Sequence, residues 1–186
     1  DLANVAFPGY LTWLAGLGLS GNGVVVASVD EGVDEGHPDL AARMLPCDGD
    51  SCSVTPRSLH GTHTAGIIAG DGSSVVVDAN GFLRGLGVAP GASLIEQEYN
   101  PWMLQPGGVL KLMTDSYNNG AMVSSNSWGT ASSVAGLGYD IDTMLIDVGV
   151  RDADPLRPGS QPLSYVLAID NGNGGVSSQG APDDSK

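Results

Sequence analysis

The segment Val24-Val25-Val26-Ala27-Ser28-Val29-Asp30 decides the fold class of this sequence. Its run of β-branched and small residues follows Gly21-Asn22-Gly23 and predicts a strand buried on both faces, as in a parallel sheet. The run stops at Asp30, so a carboxylate is expected at the end of a buried strand. Ligand sites of open parallel sheets lie beyond the carboxyl ends of their strands.

Strands and helices are predicted to alternate along the rest of the chain. The pattern of apolar residues predicts strands at 93–98, 121–125 and 165–169 and helices at 61–69, 109–117 and 139–150. This alternation predicts an α/β fold, a doubly wound and mostly parallel sheet with helices on both faces.

Two finer expectations follow from this arrangement. The last predicted helix carries an apolar stripe, which we expect to face the core: Ile141, Met144, Leu145 and Val148. Three polar residues that follow predicted strands are expected at one edge of the sheet: Asp30, Ser127 and Asn171.

The composition excludes several functional classes. The 186 residues include 21 acidic and 7 basic side chains, a net charge of -14, and 41% hydrophobic residues without a repeat, which is typical of one globular domain. Such an acidic chain repels nucleic acids and anionic membranes, so neither is an expected partner. The sequence contains no apolar stretch of about 18 residues that could span a membrane. Its first residues lack a leader pattern, so any targeting segment or pro-segment is expected to have been removed or never to have been present.

Two cysteines, Cys47 and Cys52, bracket a short acidic loop. A disulfide is favoured over a metal pair, because no third or fourth soft ligand lies nearby in the sequence. Closing so short a loop is expected to stabilise the fold by roughly 2 kcal/mol. The pair therefore indicates an oxidising, extracellular compartment and a secreted protein.

Two of the three histidines lie in His60-Gly61-Thr62-His63-Thr64-Ala65-Gly66. His60, at the first turn of a helix, could face Asp30; a carboxylate that accepts the Nδ1 proton would leave Nε2 free as a base. Asp30 could instead serve only as a turn residue. His60 and His63 could also hold a metal across one helical turn, although the HExxH spacing is absent.

Four motifs in this sequence resemble those of the subtilase (subtilisin-like serine peptidase) family and follow one another in the same order. They are Val29-Asp30-Glu31-Gly32-Val33-Asp34 with His37-Pro38-Asp39-Leu40, then His60-Gly61-Thr62-His63-Thr64-Ala65-Gly66, then Gly87-Val88-Ala89-Pro90-Gly91-Ala92, and Asn126-Ser127-Trp128-Gly129. The match is closest to alkaline, long-chain subtilases that carry NSWG. The resemblance implies a subtilisin-like fold over nearly the whole chain.

The resemblance also implies roles for individual residues. Asp30 is then the triad carboxylate and His60 the general base, while His63 is kept in the helix for packing or hydrogen bonding. Ser127, Trp128 and Gly129 are expected to bind an extended polypeptide substrate through its main chain.

The motifs around two further positions depart from the family pattern. Glu31 stands where the family has Thr or Ser, and a second carboxylate beside Asp30 is expected to raise the acid limb of the pH–activity profile. The family's oxyanion-binding Asn corresponds to Asn171 by strand register, or to Asn173 by the Gly-Asn-x-Gly pattern.

The sequence contains no G-T-S-M-A motif, which in the resembling family carries the nucleophilic serine. We therefore expect residues 1–186 to be the amino-terminal portion of a single catalytic domain, incomplete in this chain and cut after Lys186. Its partner would be the carboxyl-terminal remainder of the same domain, which would supply the serine.

Calcium is the cofactor that the resemblance implies, as a structural ion, and no organic cofactor is expected. Asp39 lies where the family often supplies a calcium ligand. Other oxygen donors in loops could serve the same ion or be ordinary loop residues: Asp48, Asp50, Asp71, Asp78 and Asn80.

The function predicted from these observations is a secreted serine endopeptidase of the subtilisin type, which has undergone zymogen processing. The alternative is a non-catalytic subtilase-like scaffold that binds peptides without cleaving them. A third interpretation is an acidic metal-binding module that uses His60 and His63.

Overall fold

The computed structural model describes residues 9–52, 57–129 and 139–169. Four helices and four strands form in these residues, with a short 3₁₀ turn at Trp102–Leu104. In chain order they are α1 (Tyr10–Gly16), β1 (Val25–Asp30), α2 (Leu59–Ala69), β2 (Ser93–Glu98), α3 (Gly108–Asn118), β3 (Val123–Asn126), α4 (Ile141–Gly149) and β4 (Ser164–Leu167). In this part of the chain no helix has the length and apolar character needed to cross a membrane.

The four strands form one parallel sheet in the order β2-β1-β3-β4. β1 is central, and its register aligns Asp30 with Glu98 of β2 and Val29 with Asn126 of β3. β2 pairs with one edge of β1 and β3 with the other, so the strand order reverses between β1 and β3. This reversal creates a crevice at the carboxyl ends of these two strands.

The helices cover both faces of the sheet, as the sequence predicts for an α/β fold. On one face, Val26 and Leu94 pack with Ala65 and Ala69 of α2. On the other face, Val29 packs against α3 and α4 in a larger cluster that includes Ile95, Val109, Leu112, Met113, Trp128 and Ile146. Alternation along β1 therefore points Asp30 towards the side of α2.

Helix α2 begins two residues earlier than the sequence predicts, at Leu59, because Ser58 caps it. The Ser58 hydroxyl accepts hydrogen bonds from the backbone N–H groups of His60 and Gly61 at 3.1 and 3.3 Å. His60 therefore lies in the first turn of the helix, as expected. The helix ends at Gly70, as predicted, with an extended backbone (φ -56°) rather than a left-handed one.

The expected orientation of the last helix is wrong. The buried residues of α4 are Thr143, Ile146 and Gly149, whereas three residues of the predicted stripe are exposed: Ile141, Met144 and Val148. A Gly at position 149 allows α4 to approach α3 closely, since a Cβ there would collide with the Met113 side chain. The side of α4 that packs inward is thus the one that carries Gly149, where α4 meets the Met113 side chain of α3.

The predicted disulfide between Cys47 and Cys52 is present, with a Cα–Cα distance of 5.4 Å. The loop it closes places Ser51, which is fully buried, against the edge of β2. The Ser51 carbonyl accepts from the Glu98 N–H at 2.8 Å, and its hydroxyl donates to Asp115 of α3 at 2.7 Å. The loop thus links β2 to α3.

Replacing Cys47 and Cys52 together by serine is expected to lower the free energy of unfolding by about 2 kcal/mol, because the unfolded chain regains loop entropy. Thermal unfolding with and without a thiol reductant measures this effect. Reductant should destabilise only the wild-type chain, and an equal response of the double variant would contradict the prediction.

Candidate active site

The sheet crevice holds a histidine–carboxylate pair, as the sequence predicts. His60 Nδ1 and Asp30 Oδ1 lie 2.8 Å apart. An ionised carboxylate only accepts hydrogen bonds, so Nδ1 carries the proton and Nε2 of the neutral ring is left unprotonated. The Asp30 side chain is 2% exposed and the His60 side chain 54%. The pair therefore combines a buried, fixed carboxylate with an imidazole that a substrate can reach.

Other donors hold the Asp30 carboxylate in place. Its Oδ1 also accepts from the Glu31 N–H at 2.8 Å, and its Oδ2 accepts from the Thr64 hydroxyl at 3.1 Å. Thr64 lies one helical turn after His60 and so reaches the same carboxylate. Sequence reasoning did not assign this role to Thr64, although the four-residue spacing on a predicted helix was a usable signal.

A close backbone approach brings the helix to the strand. A Cβ at Gly61 would come within 3.0 Å of the Gly32 carbonyl oxygen and lie 3.2 Å from Asp30 Cβ. Only glycine fits at this crossing. The glycine between His60 and Thr62 therefore sets how closely the His60 helix sits on β1.

The predicted substrate-binding residues Ser127, Trp128 and Gly129 follow the end of β3, beside the His60–Asp30 pair. Since Asn126 is the last residue paired with Val29, Ser127 comes level with the end of β1. The Trp128 side chain is buried and stacks on Tyr99, with ring centroids 5.1 Å apart. The tryptophan thus anchors the segment in the core. The expected oxyanion residues, Asn171 and the alternative Asn173, lie outside the described residues.

A model of the subtilase family matches residues 21–184 of the sequence. The chain belongs to the subtilase family. The match includes the His60–Asp30 pair and the Asn126–Gly129 segment, so the subtilase resemblance found in the motifs extends over most of the chain.

Known subtilases are similar to parts of this chain. Subtilisin E of Bacillus subtilis (strain 168) is 41% identical over 81 residues, which are 41% of this chain and 19% of that protein. Fervidolysin of Fervidobacterium pennivorans is 33% identical over 134 residues, which are 59% of this chain and 17% of that protein. These matches span about a fifth of the length of the curated relatives.

Solved structures share the fold. The Aeromonas sobria serine protease, in a crystal structure with a chaperone, has a TM-score of 0.57 and 26% identity, covering 83% of this chain and 26% of that one. Sphericase has a TM-score of 0.56 and 22% identity, and the match covers 89% of this chain and 51% of the sphericase chain. At this identity the similarity supports the fold alone. The parallel sheet with helices on both faces is thus a subtilase architecture.

The carboxylate of Asp39, the expected calcium ligand, accepts hydrogen bonds from a neighbouring loop. Asp39 is 4% exposed, and its Oδ1 and Oδ2 accept from the N–H and hydroxyl of Ser74 at 2.6 and 2.9 Å. Asp39 thereby anchors the loop at 71–86. Asp71 and Asp78 similarly accept from backbone N–H groups of their own loops.

The metal-module interpretation finds no support in the described residues. They contain no group of three or more His, Cys, Asp or Glu side chains placed to hold a metal. The Nδ1 of His60 is bonded to Asp30. His63 lies on α2, is exposed, and lines an open cavity of about 640 Å³ with Asp34, His37 and Arg57.

A second carboxyl group, Glu96 of β2, is buried behind the site. Its Oε1 accepts from the Val33 N–H at 2.9 Å, in the loop that follows Asp30. Burial raises the pKa of Glu96 to about 7, and the charges of Glu35 and Glu98 act in the same direction, against the hydrogen bond from Val33. Glu96 therefore titrates near neutral pH.

The fold is expected to lose stability as the pH rises towards 7. Since the unfolded Glu96 releases its proton near pH 4.5 and the folded one near 7, the folded state holds the proton more tightly. The stabilisation is complete below pH 4.5 and disappears as the pH passes 7, a change of up to about 3 kcal/mol. Glu96→Gln, which keeps an acceptor for Val33, should flatten this part of the curve.

Chemical denaturation of both proteins between pH 4 and 8 measures this dependence. The control is Asp48→Asn, which removes an exposed carboxylate that is not among the groups acting on Glu96 and should leave the slope unchanged. Parallel slopes for wild type and Glu96→Gln would show that folding does not raise the pKa of Glu96.

Proposed function

We propose that this chain is the amino-terminal part of the catalytic domain of a secreted, subtilisin-like serine endopeptidase of the NSWG-bearing alkaline type. The observation that carries the proposal is the 2.8 Å hydrogen bond between His60 Nδ1 and the buried Asp30 carboxylate in the sheet crevice. This arrangement is that of a catalytic base and the group that orients it. The substrate would be a polypeptide.

In the proposed reaction His60 acts as the general base. Its unprotonated Nε2 removes the proton of a serine hydroxyl as that oxygen attacks the peptide carbonyl, and Asp30 stabilises the imidazolium that forms. His60 then donates the proton to the leaving amine, and the same nitrogen later activates the water that hydrolyses the acyl-enzyme. Asn171, or alternatively Asn173, would donate a hydrogen bond to the oxyanion.

The serine would come from the carboxyl-terminal remainder of the same domain. Two observations support this part of the proposal. The sequence contains no G-T-S-M-A motif, and its matches span only about a fifth of the length of the curated relatives. The outer edge of β4 also supports it: among the described strands none pairs there, and Val166 and Ile169 are 55% and 70% exposed. A continued sheet would bury these residues.

Secretion is the part of the proposal that rests on chemistry outside the site. The disulfide between Cys47 and Cys52 would persist in an oxidising compartment and be reduced in most cytosols. The charge of -14 keeps the chain soluble and away from anionic surfaces.

A fluorophosphonate probe, which reacts with an activated serine, tests the proposal on native purified protein. We expect the probe to label a polypeptide that copurifies with this chain, and His60→Ala to abolish that labelling. Intact mass before and after labelling identifies the labelled species. An 18.9 kDa chain that folds alone, binds peptides and is never labelled would instead support the non-catalytic scaffold, which the missing serine motif also favours.

A further inference from the structure

The carboxylate of Glu31 connects three elements that surround the His60–Asp30 pair. Its Oε1 accepts from the Tyr99 hydroxyl at 2.7 Å, and its Oε2 lies 3.5 Å from the Ser58 hydroxyl. Its backbone N–H donates to Asp30. Glu31 therefore contacts the end of β1, the cap of α2 and the segment after β2.

Each of these contacts involves a residue that holds a different part of the site in place. Ser58 caps the helix that carries His60. Tyr99 stacks on Trp128, with an angle of 23° between the rings, and Trp128 belongs to the segment that would bind the substrate main chain. The Tyr99 backbone N–H also donates to the Asp30 carbonyl at 3.1 Å. A shift of Tyr99 would therefore displace residues on both sides of the crevice, Asp30 on one side and Trp128 on the other.

We propose that Glu31 is a positioning residue, which holds the Tyr99–Trp128 stack against the capped start of the His60 helix and so aligns the substrate-binding segment with the general base. The inference rests on the proposed function and deepens it. A hydrogen bond to a charged acceptor is the kind of contact that keeps a tyrosine hydroxyl in one place at a half-exposed rim. Thr or Ser, the residues usual in the family at this position, would be too short to make the same contact with Tyr99.

The environment of Tyr99 agrees with this arrangement. Burial raises the pKa of Tyr99, and the hydrogen bond to Glu31 and the charges of Glu31 and Asp30 raise it further. These two carboxylates are the titratable groups that act on its hydroxyl in the described part of the chain. Glu31→Gln should therefore lower the pKa of Tyr99, since it keeps an acceptor and removes a charge. Ultraviolet titration against Tyr99→Phe isolates this signal and requires no catalysis.

Kinetics of the chain together with its serine-bearing segment test the positioning role. Glu31→Ala and Tyr99→Phe are each expected to raise KM for an extended peptide about tenfold and to change kcat less than about twofold. A short ester substrate that does not reach the Trp128 segment should be hydrolysed at the wild-type rate. The two substitutions combined should cost no more than either one, because they remove the same contact.

Two further variants separate positioning from a general loss of charge or folding. Glu31→Gln should restore most of the affinity for the extended peptide, because it still accepts from Tyr99. Glu35→Gln removes an exposed carboxylate from the same loop and should behave as wild type. Additive effects of Glu31→Ala and Tyr99→Phe, or equal losses with short and extended substrates, would overturn the inference.

Failure of the proposed function has a different signature. If wild-type protein neither reacts with the fluorophosphonate nor cleaves peptides, the peptidase proposal fails. In that case quenching of the protein's tryptophan fluorescence by an uncleaved peptide still reports whether Glu31→Ala weakens binding. Unchanged peptide binding in Glu31→Ala, with active or inactive wild type, removes the positioning role.

Discussion

Asp30→Asn is expected to reduce kcat/KM of the assembled enzyme by about 10⁴-fold while the fold is retained. The asparagine amide can turn its NH₂ group towards His60 and accept no proton from Nδ1. The neutral imidazole then carries its proton on Nε2, where a base is needed. The Glu31 N–H and the Thr64 hydroxyl donate to two different oxygens of Asp30, and the asparagine would offer them only one.

Two measurements separate this effect from unfolding. Nitrogen-15 spectra of the imidazole should show the Nδ1–H tautomer of His60 in the wild-type chain and the Nε2–H tautomer in Asp30→Asn. Asp34→Asn is the matched control, since its carboxylate lies in the loop after β1, accepts from the Gly36 N–H and pairs with Arg57 rather than with His60. A wild-type tautomer in Asp30→Asn, or activity within tenfold of wild type, would contradict the assignment of Asp30.

Gly61→Ala is expected to have the second largest effect, through displacement of the His60 helix. The added Cβ collides with the Gly32 carbonyl, which is backbone and cannot rotate away. Relief of this contact should cost about 2–3 kcal/mol of stability. It should also move His60 away from Asp30, and a displacement near 1 Å can lower the rate about 100-fold.

The same helix offers a control with the same chemical change. A Cβ at Gly66 meets no other atom within 4 Å, so Gly66→Ala should raise the stability by about 0.5–1 kcal/mol through helix propensity. Thermal unfolding and kcat/KM of the two variants provide the comparison. If Gly61→Ala were as stable and active as Gly66→Ala, the close approach of α2 to β1 would not be required.

The elements of the sheet were predictable because their signals are local. A run of β-branched residues ending at Asp30, and a second strand whose bounds agree with β2 (Ser93–Glu98), need no information from the rest of the chain. The position of His60 beside Asp30 was predictable for a related reason. A loop followed by the first turn of a helix places a side chain at the same sheet edge as the strand end. The motifs then identify the two residues as His60 and Asp30.

The orientation of α4 could not be predicted from its apolar stripe. Ile141 and Met144 suggested a core-facing side, yet α4 packs through Thr143, Ile146 and Gly149. The choice depends on the shape of α3, whose Met113 side chain lies in the space that a Cβ at position 149 would occupy. The shape of a helix contact depends on two segments that are distant in sequence, so neither segment alone reveals it.

The sequence by itself determined the α/β class, the family and the pairing of His60 with Asp30, because local pattern and motif spacing carry that information. Only the tertiary structure decided that Thr64 supports Asp30, that Ser51 joins β2 to α3, and that Glu31 reaches Tyr99. These contacts join residues up to 68 positions apart. They exist only after the sheet has brought the ends of its strands together, since long-range hydrogen bonds depend on where the backbone is placed rather than on the identity of neighbours in sequence.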